Sequence, residues 1–264
     1  MTPILMLGAG RMGGALIEGW RAAQAFSPAD LIIRDPFPGP AALAAQRDGA
    51  ILNPPDADLA HARTVLVCVK PQIWRAAAAE VAPWLTADAL VVSIAAGVSS
   101  QDLAAAFGGR AVARVMPTTA VAIRQGVASI FADRPAARAA AHAMFAPVGQ
   151  VVDFLDEDLM HAATAVSGSA PAYLYAFIEA LEAAGLQAGL TPEAAAALAR
   201  GTITGAAGLL GQSGEDPAEL RRQVTSPGGT TEAALKVLMG EGGFTPLLRD
   251  AVAAAVRRSK ELGS

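Results

Sequence analysis

Four apolar residues, Ile4-Leu5-Met6-Leu7, run without a break into Gly8-Ala9-Gly10-Arg11-Met12-Gly13, and an apolar stretch beginning Gly14-Ala15-Leu16-Ile17 comes next. A strand that meets three glycines at this spacing and then opens a helix has few folds available to it. Gly8 permits the tight turn, Gly10 lets the backbone approach a pyrophosphate, and Gly13 lets the helix pack close to the strand. The free N–H groups and positive dipole end of that helix face the phosphates. Residues Gly8, Ala9, Gly10, Arg11, Met12 and Gly13 are therefore the expected dinucleotide cradle.

The chain keeps to the same plan up to about residue 155. Short β-branched runs at Pro3 to Leu7, Leu31 to Arg34, Thr64 to Val69, Leu90 to Ile94, Ala111 to Val115, Val127 to Phe131 and Gln150 to Phe154 alternate with Ala-rich helical stretches. The helical candidates are Met12 to Ala25, Gln72 to Val81, Ser99 to Phe107 and Pro135 to Phe145. Such alternation predicts an α/β fold, a Rossmann-type doubly wound parallel sheet with helices on both faces. The run Thr64 to Lys70 is apolar on both alternating faces, as a central strand should be, and Cys68 within it reads as a small buried side chain. The second strand ends in Ile33-Arg34-Asp35-Pro36, where the adenosine ribose is expected. An acid there takes the ribose hydroxyls of NAD and an arginine accommodates the 2′-phosphate of NADP. Both residue types are present, so NADPH and NADH both remain open.

After about Asp156 the β-branched runs stop and helices separated by Gly, Ser and Pro take over, which divides the chain into a dinucleotide-binding domain, 1–155, and an all-α domain, 156–264. No charge occurs from Ala162 to Ile178, and the stretch Glu193 to Gln212 carries, beyond Glu193 itself, only Arg200, with small residues at Gly201, Gly205 and Gly208. Helices this apolar need cover on every side, and a small helical domain supplies little by itself. A homodimer through the C-terminal helices is expected, with a higher oligomer left open. Composition narrows the partners further. With 53% hydrophobic residues the chain is globular, and a net charge of −4 without a basic stripe argues against nucleic acid. One cysteine and no Cys/His cluster leave no metal site or internal disulfide to expect, and a cytoplasmic setting suits this. The N-terminal apolar run is too short to span a bilayer and lacks a basic flank, so neither secretion nor a membrane is expected.

A second glycine cluster lies near the C-terminus, in Thr225-Ser226-Pro227-Gly228-Gly229-Thr230-Thr231. Backbone donors at Gly229 and Thr230, at a helix start, suit a small carboxylate, and the Ser226 and Thr231 hydroxyls add donors or acceptors. The same residues also suit a plain turn with Thr231 as helix cap.

The segment LRRQVTSPGGTTEAALKVL resembles the signature of the pyrroline-5-carboxylate reductase family, and GAGRMGGA, VCVKPQ, SIAAGVSS, RVMPTT and SGSAPAYLYAFIEAL resemble its other segments in the same order. Resemblance over essentially the whole chain implies a Rossmann domain followed by a helical dimerisation and substrate-binding domain. It implies NADPH or NADH held by Gly8 through Gly13, Arg34, Asn53, Val69, Lys70, Pro71 and Ala96. It implies substrate held by Ser226, Gly228, Gly229, Thr230 and Thr231, and hydride transfer to the C=N carbon of a cyclic imine to give L-proline. Thr231 is the expected partner of the ring nitrogen, and Ser226 helps fix the carboxylate. Two departures stand out: Thr118-Thr119-Ala120 where the family often has Asn-Thr-Pro, and Ala170 where it usually has glycine. His61, His142 and His161 are expected to be structural or solvated. A β-hydroxyacid dehydrogenase, which shares the plan, relies on a catalytic lysine in the helical domain, whereas of the three lysines here, Lys70, Lys236 and Lys260, none lies in the long helix after Asp156. A nucleotide sensor or a purely structural dimerisation module would have no need of the TSPGG loop.

Overall fold

The computed structural model describes residues 1–262, so the last two positions of the expected second domain, 263 and 264, lie outside the described residues. The chain divides into two compact units, Met1–Gly168 together with the chain from Ala255 onward, and Ser169–Ala254.

The first unit is built on strands β1 (Ile4–Leu7), β2 (Leu31–Arg34), β3 (Ile51–Leu52), β4 (Thr64–Val67), β5 (Leu90–Ser93), β6 (Val112–Pro117), β7 (Gly126–Ala132) and β8 (Gly149–Phe154). They form one sheet in the order β3-β2-β1-β4-β5-β6-β7-β8. Chain order reverses between β1 and β4, which creates the crevice at the strand ends where α/β sheets take ligands. Helices α1 (Arg11–Ala23), α2 (Pro40–Arg47), α3 (Trp74–Val81), α4 (Ser100–Ala106), α5 (Pro135–Phe145) and α6 (Leu159–Ala163) complete the unit. Alternation along each strand feeds two cores. Ile4, Met6, Ile33 and Leu66 face α1, α2 and α5, while Leu5, Leu7, Ile32, Val65 and Val67 face α3 and α4.

All seven expected strands are present, and the structure adds β3 and α2. A two-residue strand is too short to show periodicity, and α2 is a short helix that directly follows the prolines and glycine of residues 36–39. The sheet is the expected Rossmann-type, predominantly parallel one, and the structure adds one antiparallel pair: β7 runs against β6, pairing Ala113 with Ala132 and Pro117 with Ala128. The connection between them holds only a short 3-10 turn, Thr119–Ile123. A parallel pair needs a crossover of a dozen or more residues, which this segment cannot supply. Thr118 secures the hairpin: it donates its N–H to the Val127 carbonyl at 3.0 Å, and its hydroxyl accepts from the Val127 N–H at 3.0 Å.

After α6 the helix widens into a π turn over Thr164–Gly168. Thr164 and Ser167 bond their hydroxyls back to the carbonyls of Met160 and Ala163, which loosens the helical ladder here.

The second unit contains α7 (Ala170–Gln187), α8 (Pro192–Ser213), α9 (Pro217–Gln223) and α10 (Thr230–Leu238); α11 (Phe244–Glu261) begins in it. Thr191 caps α8 and Asp216 caps α9 through their side chains. The α7–α8 pair is close because Gly185 has no side chain: a Cβ there would stand 3.3 Å from that of Ala195. Yet α7 buries none of its residues fully. Tyr175 is 61% exposed and Leu209 on α8 is 64% exposed. Gly201, Gly205, Gly208 and Gly211 meet nothing within 4 Å among the described residues. No helix among the described residues is long and apolar enough to cross a membrane.

Candidate functional site

The glycine turn joins β1 to α1 at the crevice. Gly8 has φ +87°, and a Cβ on it would lie 2.9 Å from Val69 Cγ1. Both facts demand glycine. Gly13 has a different reason, since its Cβ would stand 2.5 Å from the Gly8 carbonyl oxygen. At Gly10 a Cβ would meet nothing within 4 Å. Gly10 is also the cap of α1, with no side chain to satisfy the first-turn N–H groups. Open space above uncapped helix donors is what a pyrophosphate requires, so the turn fits a dinucleotide. A groove of about 410 Å³ opens beside Gly10 and Arg11 and is walled by Phe37 and Pro40.

The end of β2 is stitched to this turn. Gly8 donates its N–H to the Arg34 carbonyl at 2.9 Å. Asp35, buried, accepts the Ala9 N–H at 2.6 Å through Oδ2 and the Phe37 N–H at 2.8 Å through Oδ1. Asn53, in the left-handed region at φ +49°, bonds the Asp35 main chain twice: Oδ1 accepts from its N–H at 2.9 Å and Nδ2 donates to its carbonyl at 2.8 Å. The Arg34 guanidinium donates to the Pro54 carbonyl at 2.6 Å and forms ion pairs with Asp56 and Glu80. Val69, Lys70 and Pro71 follow β4 and Ala96 follows β5, so these residues sit beyond the same C-terminal strand edge as the turn. The sequence reading names Asp35 as one of two alternatives, but it does not anticipate that Asp35 anchors the turn itself.

In the second unit, the loop before α10 carries the other glycine cluster. Gly228 has φ +73°, and its N–H donates to Glu232 Oε2 at 2.6 Å. Gly229 caps α10 without a side-chain bond, and its own N–H donates to the Ser226 carbonyl at 3.0 Å. Two details therefore differ from the sequence reading. Thr231 lies inside the first turn instead of capping it, and the free first-turn donors include Thr230 and Thr231, whereas Gly229 is engaged. Among the described residues, neither the Ser226 nor the Thr231 hydroxyl has a hydrogen-bond partner.

Elsewhere in the first unit a polar cluster escapes sequence reasoning. Buried Arg114 on β6 pairs with Glu157 at 2.6 Å. Glu157 also accepts the Ser100 N–H at 2.7 Å and its hydroxyl at 2.6 Å, at the start of α4. Burial pushes the Glu157 carboxyl up, but the Ser100 and Arg114 hydrogen bonds outweigh it and hold the group below the usual carboxylate range. His161 bonds Ser259 at 2.9 Å; burial and the nearby Arg114 and Lys260 charges lower its pKa. His142 bonds Asp153 at 2.8 Å. Cys68 is partly buried, and burial pushes its thiol up, which removes any thiolate near neutral pH.

A mostly parallel sheet in the Rossmann order, with an open glycine turn at its switch point, defines a dinucleotide-binding protein of the Rossmann class. Comparison with known proteins is more specific. The family profile described as pyrroline-5-carboxylate reductase dimerisation matches residues 157–262, and one described as NADP oxidoreductase coenzyme F420-dependent matches residues 3–97. The chain is 40% identical to pyrroline-5-carboxylate reductase of Pseudomonas aeruginosa, over 99% of this chain and 97% of the relative. It is 37% identical to that of Synechocystis sp., over 98% and 97%. The solved pyrroline-5-carboxylate reductase of Coxiella burnetii superposes with a TM-score of 0.90 at 31% identity, covering 100% of this chain and 99% of the other. That of Plasmodium falciparum, with NADP bound, gives 0.84 at 26%, covering 100% and 98%. The chain belongs to the pyrroline-5-carboxylate reductase family.

Proposed function

We propose that this chain reduces 1-pyrroline-5-carboxylate to L-proline, the last step of proline biosynthesis, with NADPH or NADH as reductant. The observation that carries this reading is the loop before α10. It presents an uncapped helix start and two unpartnered hydroxyls, a set of donors for a small carboxylate beside a ring nitrogen. In the first unit Gly8, Ala9, Gly10, Arg11, Met12 and Gly13 hold the pyrophosphate, Arg34 and Asn53 border the adenosine ribose, and Val69, Lys70, Pro71 and Ala96 border the nicotinamide ribose and ring. When bound, the reduced nicotinamide supplies the hydride that adds to the imine carbon.

The residues of this chain bind, orient and manage one proton. The Thr230 and Thr231 N–H groups and the Ser226 hydroxyl fix the carboxylate. Gly228 and Gly229 shape the turn: Gly228 adopts the left-handed backbone at φ +73° that side chains disfavour, and a Cβ on Gly229 would stand 3.0 Å from the Ser226 carbonyl oxygen. The Thr231 hydroxyl bonds the ring nitrogen and passes on to it one proton from water; the C=N carbon is most electrophilic once that nitrogen is protonated, and hydride addition there then gives the amine. No strong base is needed, and none of the three histidines is required. The apolar, unburied faces of α7 and α8 and the open glycines of α8 support a homodimer through these helices. A reducing, cytoplasmic setting suits a chain whose only cysteine is Cys68.

The test is oxidation of NADH and NADPH driven by pyrroline-5-carboxylate, followed by absorbance. Thr231→Ala lowers kcat by about 100-fold, and Thr231→Ser restores most of it. Wild-type protein that binds the dinucleotide but never oxidises it with this substrate would overturn the reading.

A further inference from the structure

The charges at the end of β2 bear on which reduced dinucleotide the cradle takes. We propose that Asp35 excludes a phosphate from the 2′ position of the adenosine ribose, so that this chain binds NADH in preference to NADPH. The inference rests on the dinucleotide reading of the glycine turn.

In Rossmann units the ribose lies at the end of the second strand, about twenty residues beyond the glycines, and Asp35 is the first residue past β2. Its carboxylate is not free to swing away. One oxygen is held by the Ala9 N–H of the glycine turn and the other by the Phe37 N–H, while Asn53 clamps the Asp35 main chain on both sides. Each carboxylate oxygen keeps acceptor capacity beyond the bond it makes, which suits the two ribose hydroxyls. A 2′-phosphate brings about two negative charges and no proton to donate. Against a fixed carboxylate it is repelled, and the carboxylate cannot rotate away without releasing the turn.

Arg34 is the residue that would otherwise welcome that phosphate, and its guanidinium is already engaged. One terminal nitrogen donates to the Pro54 carbonyl. The other pairs with Asp56 and, together with Nε, with Glu80 Oε1 at 3.2 and 3.3 Å. The end of β2 thus sets one cation among three carboxylates, Asp35, Asp56 and Glu80. A 2′-phosphate would have to displace two carboxylates from Arg34 while facing a third. Arg11, another cation of this edge, opens α1 beside Gly10 and so serves the pyrophosphate, and Lys70 follows β4 on the nicotinamide side of the proposed site.

The test is equilibrium titration of the full chain with NADH and with NADPH in the absence of imine, read by calorimetry, with AMP and adenosine 2′,5′-bisphosphate as fragments. NADH is expected to bind about tenfold or more tightly than NADPH, a difference of about 1.4 kcal/mol. Asp35→Ser narrows or inverts the ratio. Because Asp35 also anchors the turn, Asp56→Asn with Glu80→Gln provides a second arm that leaves it in place. Freeing Arg34 in this way raises NADPH affinity about fivefold and leaves NADH affinity as it was. Equal or tighter binding of NADPH to wild type overturns the proposal, as does a double variant with unchanged NADPH affinity. Binding of neither dinucleotide would instead refute the underlying reading of the glycine turn.

Discussion

Gly10 and Gly13 occupy the same turn, yet the structure assigns them opposite kinds of importance, and alanine at each separates folding from binding. At Gly13 the new methyl would stand 2.5 Å from the Gly8 carbonyl oxygen and 3.3 Å from the Met6 sulfur. The first neighbour is backbone, so α1 must lift from β1. Overpacking of this kind costs about 3 kcal/mol at the upper end of its usual range. Replacing a helical glycine by alanine returns about 1 kcal/mol. The net loss is about 2 kcal/mol, a drop of roughly 30-fold in the folded-to-unfolded ratio. At Gly10 the methyl enters empty space, and a poorer cap costs at most about 1 kcal/mol. It does, however, occupy the approach of the pyrophosphate. Losing one charge-assisted hydrogen bond to the helix start removes about 1.5–3 kcal/mol, so the dinucleotide dissociation constant rises about tenfold or more. Urea unfolding of both apoproteins and calorimetric titration with NADH and NADPH measure the two effects. A Gly10→Ala protein that binds like wild type would refute this account of the turn, and so would a Gly13→Ala protein as stable as wild type.

Two further outcomes concern the polar cluster and the lone thiol of the first unit. Glu157→Gln leaves Arg114 buried with a weaker partner; because Glu157 keeps 27% of its side chain in water, the loss at neutral pH is about 1.5 kcal/mol, measurable by urea unfolding. Folded Glu157 titrates below its ordinary value of 4.5, so the stability it contributes is complete above that pH and is lost as pH falls through the folded value. The variant therefore shows a shallower decline of stability below pH 4.5 than wild type, and an unchanged slope would contradict the assigned bonds. Cys68, lacking thiolate character, reacts with a thiol-specific reagent in the native protein far more slowly than in urea; equal rates would show the thiol is not protected by the fold.

The order of strands, the glycine turn and the change to an all-helical segment are legible in the residues, because each rests on local chemistry. β-branched runs favour strands, and a glycine is needed wherever φ is positive or a neighbour is too close. The seven expected strands are all present for that reason. The same local logic marks the TSPGG loop as a place for an anion. What it cannot supply is the partner of each polar group. That Gly229 donates inward to Ser226, leaving Thr230 and Thr231 free, depends on the path of the turn and not on its composition. The direction of β7 depends on how little chain separates it from β6.

The end of β2 shows the division most clearly. Arg34 and Asp35 stand side by side in the sequence and point to opposite cofactors, and residue types alone leave the choice open. Tertiary structure brings Asp56 and Glu80 to Arg34 and the Ala9 N–H to Asp35. A hydrogen bond or ion pair between residues 20 or more positions apart exists only once the sheet has set their distance. The sequence determined which groups this crevice could use, and folding decided which of them were already engaged.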